Sequence, residues 1–178
     1  MNKKRQKASN KRQRPQPVEL NGHFGKFHVL REGAGRYELR IDAEGRWYHE
    51  GIEIAREDIR KFFSRHLARR DDGEYYIQIG EDEAPVIVED APFLVVRVER
   101  NTHGGLTLLL SDGSTEPLAP ETIMFKDSNV PYCMVRTNME ARFSRPAYYQ
   151  LAEYICYDAE ADRYCLCVNG EKFDLRVS

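Results

Sequence analysis

The sequence predicts an α+β protein of two tandem repeated units, each an antiparallel β-sheet with one helix. Three observations carry this. Apolar residues recur at helical spacing in two places, each followed by a short alternating strand pattern and a turn. Shifting the chain by 89 positions lays Ile54–Val88 over Phe143–Val177 without a gap. Identities in that overlap are few (Arg56/Arg145, Tyr75/Tyr164, Val88/Val177), so the shared periodicity is the argument for a degenerate duplication.

In the first unit Tyr37, Leu39 and Ile41 alternate with Glu38, Arg40 and Asp42. A turn at Glu44-Gly45 leads to a strand over Trp47–His49, and Gly51 leads to Ile52 and Ile54. Ile59, Phe62, Phe63, His66 and Leu67 then lie on one face of a helix. A turn at Asp71-Asp72-Gly73 separates it from a strand over Tyr75–Ile79. Gly80 turns the chain into Val86–Val88.

In the second unit Phe93–Glu99 and Leu106–Leu110 read as strands, the latter ending at Ser111-Asp112-Gly113. Pro117, Pro120 and Pro131 predict an irregular stretch over 115–131, and Met134–Arg136 a short strand. Ser144 with Pro146 marks a helix start. Tyr148, Leu151, Ala152, Ile155 and Cys156 repeat the register of the first helix. After a turn from Asp158 to Asp162 comes the strand Tyr164–Val168, the hairpin signal Asn169-Gly170, and Phe173–Val177.

We place the boundaries at 1–17 for a basic tail, 18–90 for the N-terminal unit and 91–178 for the C-terminal unit. The tail carries Lys3, Lys4, Arg5, Lys7, Lys11, Arg12 and Arg14 and no acid, a charge of +7. The remainder, with 20 basic and 29 acidic residues, is −9, giving the net −2. With so little to bury, the tail cannot offset an ordering cost of about 1–2 kcal/mol per residue, and disorder is expected. It reads as solvated, with salt-sensitive contact to nucleic acid or an anionic surface as the alternative. A unit of about 80 residues is marginal alone, so the halves should pack on each other. Clefts between packed units favour ligands, which directs attention to the junction.

No apolar run is long enough for a membrane span and no secretory signal is present, which suggests a cytoplasmic protein. Four cysteines, Cys133, Cys156, Cys165 and Cys167, are then expected to be reduced. Cys165 and Cys167 share one face of a strand, about 6.6 Å apart along it, near the limit for a disulfide. With Cys156 they offer three soft donors, but no histidine completes a zinc set, so packing roles are preferred and no metal is assigned. No nucleophile elbow, phosphate loop or dinucleotide fingerprint occurs, so neither cofactor nor catalytic residue is predicted. The cluster that stands out is Arg136, Arg142 and Arg145 beside Tyr148 and Tyr149 in an acidic body. It suits an anion; the competing reading pairs these arginines with Glu89, Asp90 or Glu140.

Four motifs also carry a resemblance. Gly45-Arg46-Trp47-Tyr48-x-x-Gly51, Val88-Glu89-Asp90-Ala91-Pro92-Phe93, Pro131-Tyr132-x-x-Val135-Arg136 and Glu140-Ala141-Arg142-x-x-Arg145-x-x-Tyr148-Tyr149-x-Leu151 resemble the bacterial domain-of-unknown-function family 1285. The likeness runs from about Tyr37 to about Glu153, while 101–128 and the cysteine-bearing end diverge. It implies two repeated units, the C-terminal one superficially pleckstrin-homology-like. It also implies a site for a nucleotide-like ligand at their interface, a role in signal transduction, and no established enzyme activity. By position it nominates Glu89, Asp90, Pro92, Arg136, Arg142, Arg145 and Tyr148. The expectation is a non-catalytic ligand-binding or signalling module; the alternatives are a nucleic-acid-associated protein acting through its tail, or an enzyme with an unfamiliar site.

Overall fold

The structure, a computed structural model, describes residues 38–126 and 129–177. The basic tail, the segment 18–36 and Tyr37 lie outside the described residues. In the first unit the chain forms strands β1 (Leu39–Ile41), β2 (Trp47–His49) and β3 (Ile52–Glu53), then helix α1 (Glu57–His66). Strands β4 (Leu67–Arg69), β5 (Tyr75–Ile79) and β6 (Asp82–Val88) follow. They make one six-stranded sheet in the order β3-β2-β1-β6-β5-β4.

The second unit opens with β7 (Phe93–Arg100), β8 (Leu106–Leu110) and β9 (Thr115–Pro117) and a 3-10 turn at Pro120–Thr122. Next come β10 (Met124–Lys126), β11 (Val130–Val135), β12 (Met139–Phe143) and helix α2 (Arg145–Ala152). Strands β13 (Ile155–Asp158), β14 (Arg163–Val168), β15 (Glu171–Asp174) and β16 (Arg176–Val177) close it. A seven-stranded sheet runs β16-β10-β11-β12-β7-β8-β9, and β13-β14-β15 form a small sheet of their own.

The duplication reaches further than the helix-and-hairpin segment. Three antiparallel strands and a helix are followed by three more strands in β1–β6 and by four in β10–β16, where β15 and β16 together stand in the place of β6. The hairpin pairs Tyr76↔Pro85, Ile77↔Ala84, Gln78↔Glu83 and Ile79↔Asp82 become, 89 positions on, Cys165↔Asp174, Leu166↔Phe173, Cys167↔Lys172 and Val168↔Glu171. The first strand of each copy pairs in parallel with the last, Ile41↔Val88 in one and Phe125↔Val177 in the other. Two differences distinguish the second copy. Its last strand breaks at Leu175, which splits the sheet, and β7–β9 are added at the edge of β12.

Several expectations need correction. The sheets are mixed rather than antiparallel, because β1·β6, β10·β16 and β12·β7 are parallel. The stretch 115–131, expected to be irregular, holds β9, β10 and the start of β11; Pro117 lies on an edge strand and Pro131 near a strand start, where a sheet accommodates proline. Both helices stop short of the predicted face. Leu67 belongs to β4, and Ile155 and Cys156 to β13, since helix passes into strand within a residue or two. The Ser144 cap is as expected, accepting from the Ala147 N–H at 3.3 Å. The cysteine reading also changes: Cys156 and Cys167 form a disulfide with Cα atoms 6.1 Å apart. Distance along one strand could not reveal this, because the bond crosses the β13–β14 ladder. Cys133 and Cys165 are free and buried.

One cluster of buried side chains runs through both units, from Ile41, Trp47 and Phe63 to Phe93, Leu108, Phe143 and Leu151. Trp47 and Phe63 pack with ring centroids 5.6 Å apart, anchoring α1 on the first sheet. Ala147 and Leu151, one turn apart on α2, are fully buried. A shared core fixes the two units relative to each other, so side chains from both line a common cleft.

Candidate ligand site at the junction

Asp42 immediately follows β1 and organises the first wall. Only 4% exposed, its carboxylate accepts from the Arg46 N–H at 2.8 Å, the Glu44 N–H at 3.0 Å, Arg46 Nε at 2.7 Å and the Tyr48 hydroxyl at 3.0 Å. Burial pushes its pKa up, but the Arg46 N–H, the Tyr48 hydroxyl and the Arg46 guanidinium together hold it below the usual carboxylate range. Gly45 takes φ +76°, a left-handed conformation that favours glycine. This tight turn presents Ala43 and Glu44 to the second unit.

Facing them is a cleft of about 540 Å³, a volume suited to a small molecule. The second unit supplies Leu94, residues 129–131, Arg142, Ser144, Arg145, Tyr148 and Tyr149. Arg142, on β12, donates through Nη1 to the Ala43 carbonyl at 2.9 Å and to Asp90 Oδ2 at 3.3 Å. Its Nε is buried with no hydrogen-bond partner among the described residues. Asp90 also accepts from the Tyr132 hydroxyl at 2.8 and 3.0 Å. Burial, then the Asp90 carboxylate, pushes the Tyr132 phenol up to about 12, so it remains a donor at neutral pH.

Arg145 opens α2 beside the Ser144 cap. Its side chain is exposed and makes no hydrogen bond or ion pair with the described residues. Tyr148 and Tyr149 stack with planes 11° apart and centroids separated by 6.2 Å, and Tyr148 meets Phe125 edge-on at 6.1 Å. The cleft therefore offers the unengaged Arg145 guanidinium and aromatic surface, with the orphaned Nε of Arg142 buried in its wall. Glu44 tempers the positive potential and is itself paired with Arg46 at 3.1 Å.

Of the residues nominated from sequence, Arg142, Arg145 and Tyr148 line this cleft and Asp90 stands directly behind Arg142. Pro92 is fully buried in the connection between the units, and Glu89 is paired with Arg40. Arg136 lies elsewhere. Its guanidinium pairs with Asp112, approaches Glu116 at 3.5 Å, donates to the Ser64 carbonyl at 2.5 Å and sits 4.2 Å from the Phe93 ring centre. Arg136 follows β11 at the hairpin turn, whereas Arg142 lies near the far end of β12 across from Tyr132. Ala43 and Glu44 were missed by sequence reading. The Gly45 turn flagged the loop, but nothing local said which surface it faces.

Residues 31–91 match the family described as "Domain of unknown function (DUF1285), N-terminal domain". The crystal structure of a DUF1285 family protein from Silicibacter pomeroyi DSS-3 superposes with a TM-score of 0.67 and 27% sequence identity, covering 80% of this chain and 81% of that one. The chain is similar to the DUF1285 proteins. A second DUF1285 family protein, from Shewanella baltica OS155, is similar with a TM-score of 0.59 and 25% identity, covering 66% of this chain and 91% of that one. No curated protein matches the chain. The DUF1285 relationship agrees with the motifs read from the sequence and attaches no activity to the cleft.

Proposed function

We propose that this protein is a non-catalytic, cytoplasmic ligand-binding or signalling module that holds an anionic, nucleotide-like ligand in the cleft between its two units. The observation that carries the reading is the buried, unpartnered Nε of Arg142. Leaving a buried donor unsatisfied costs roughly 1–3 kcal/mol, a penalty that a ligand oxygen would remove once a small shift of the Arg142 side chain exposes Nε. Arg145 supplies the second positive contact and Tyr148 and Tyr149 an aromatic surface for a planar group. Two charge-assisted bonds at about 1.5–3 kcal/mol each correspond to affinities on the order of tens of micromolar to several millimolar. The same reading takes the C-terminal unit, with its strands β7–β12 followed by α2, as superficially like a pleckstrin-homology domain.

The test is a thermal-shift panel of inorganic phosphate and nucleoside mono-, di- and triphosphates, with chromatography of each compound after incubation. Stabilisation by a phosphate-bearing compound, lost in Arg145→Ala, is the expected result. An unmoved melting temperature across the panel at millimolar concentrations overturns the reading. Chemical turnover of any compound would replace it with an enzyme.

A further inference from the structure

The small sheet β13-β14-β15 carries three cysteines whose placement the core does not explain. Leu166 and Val168 of β14 point into the buried cluster. Successive strand residues face opposite ways, so Cys165 and Cys167 occupy the other face. Cys156, directly across the ladder from Cys165, shares that face. Cys165 is 1% exposed yet stands outside the core cluster, whereas Cys133 belongs to it. The equivalent ladder positions of the first unit hold Ala68, Tyr76 and Gln78, with Ala68 paired to Tyr76. The fold therefore does not require sulfur here.

The three Sγ atoms lie within 4.8 Å of one another. Cys165 Sγ is 3.1 Å from Cys156 Sγ and 3.8 Å from Cys167 Sγ. Zinc–thiolate bonds of about 2.3 Å at tetrahedral angles place ligand sulfurs about 3.8 Å apart, the same scale. Cys156 and Cys167 are half-buried, so the trio opens to solvent on one side. We propose that reduction of the Cys156–Cys167 disulfide converts this trio into a three-thiolate site for one thiophilic metal ion of the Zn(II) class. A dithiol delivers two electrons and two protons, breaking the S–S bond to give two thiols, and is itself oxidised to a disulfide. The metal then displaces protons from the thiols of Cys156, Cys165 and Cys167. Among the described residues the cluster comprises only these sulfurs, so the fourth position is left for water or a small exogenous ligand, as in open zinc sites. The disulfide and the metal exclude each other, so occupancy follows redox state.

The experiment is equilibrium dialysis of the full chain against Zn(II), oxidised or reduced with a phosphine, with metal analysis and Cd(II) substitution. The expected result is about one zinc per reduced chain and none per oxidised chain, with thiolate-to-metal charge-transfer absorption in the cadmium form. Cys165→Ser and the more exposed Cys167→Ser, each checked for native circular dichroism, should weaken binding about tenfold or more, and Cys133→Ser should not. A reduced chain that retains no zinc overturns the proposal. So does undiminished binding in a folded Cys165→Ser or Cys167→Ser variant.

Discussion

The Arg142 guanidinium donates to the backbone carbonyl of Ala43 at 2.9 Å, joining positions 99 residues apart. This bond fixes the first unit's turn against the second unit's sheet, while the Nε of the same guanidinium is buried with no hydrogen-bond partner among the described residues. Arg142 is thus both a tie between units and a candidate ligand contact. Neighbouring residues separate those two roles, and their substitutions should behave differently.

Arg145→Ala should leave stability within about 0.5 kcal/mol of the parent, because the side chain is exposed and unengaged among the described residues. Anion binding should fall in the same variant. Urea denaturation alongside titration with a nucleoside phosphate tests the separation. A stability loss well beyond that limit would show that Arg145 is structural.

Asp112→Asn should do the reverse. Asp112, with a side chain 3% exposed, pairs with Arg136, which also holds the Ser64 carbonyl. Losing that charge removes a charge-assisted hydrogen bond while Arg136 keeps Glu116 at 3.5 Å, and should cost about 1.5–3 kcal/mol. Denaturant unfolding should show the loss, while nucleoside-phosphate affinity stays near the parent value.

Acid should erase the difference between that variant and the parent. Burial raises the Asp112 pKa, but the Ser114 hydroxyl and N–H and the Arg136 guanidinium outweigh it, so the folded value lies below the ordinary 3.8. A depressed folded pKa contributes stability above the unfolded value and loses it as pH falls through the folded one. Stability curves of the parent and Asp112→Asn should therefore begin to converge as pH falls below the ordinary 3.8 and meet only once it has passed the depressed folded value. A constant gap down to the acid transition would contradict this.

At the alkaline end the group to follow is Tyr132. Its folded pKa is raised from 10.0 to about 12, so the folded chain holds this proton more tightly than the unfolded chain. The stabilisation is complete below pH 10 and declines as pH rises toward about 12. Tyr132→Phe should flatten that decline, read as stability against pH with tyrosinate absorbance as the direct probe. An unchanged alkaline slope would remove Tyr132 as its source.

Much of the fold was legible because it is written locally. The Ser144 cap with Pro146 marked the start of α2. The Asn169-Gly170 turn, both residues at positive φ, set a hairpin whose register matches the first copy. Apolar periodicity failed where helix passes into strand, since Leu67 and Ile155 suit either continuation. Prolines 117 and 131 concealed strands because composition does not say where in a sheet a residue sits.

The sequence by itself determined the repeat, the helix faces and an arginine-rich segment beside two tyrosines, all features set by neighbours a few residues apart. Only the tertiary structure decided which arginine does what. Arg136 and Arg142 stand at opposite ends of one hairpin, so one is consumed by Asp112 and Ser64 while the other meets Ala43 across the junction. The parallel pairings and the convergence of three sulfurs across a ladder also join separate strands. Such relationships depend on how distant segments close on a shared core, information that no single stretch of residues carries.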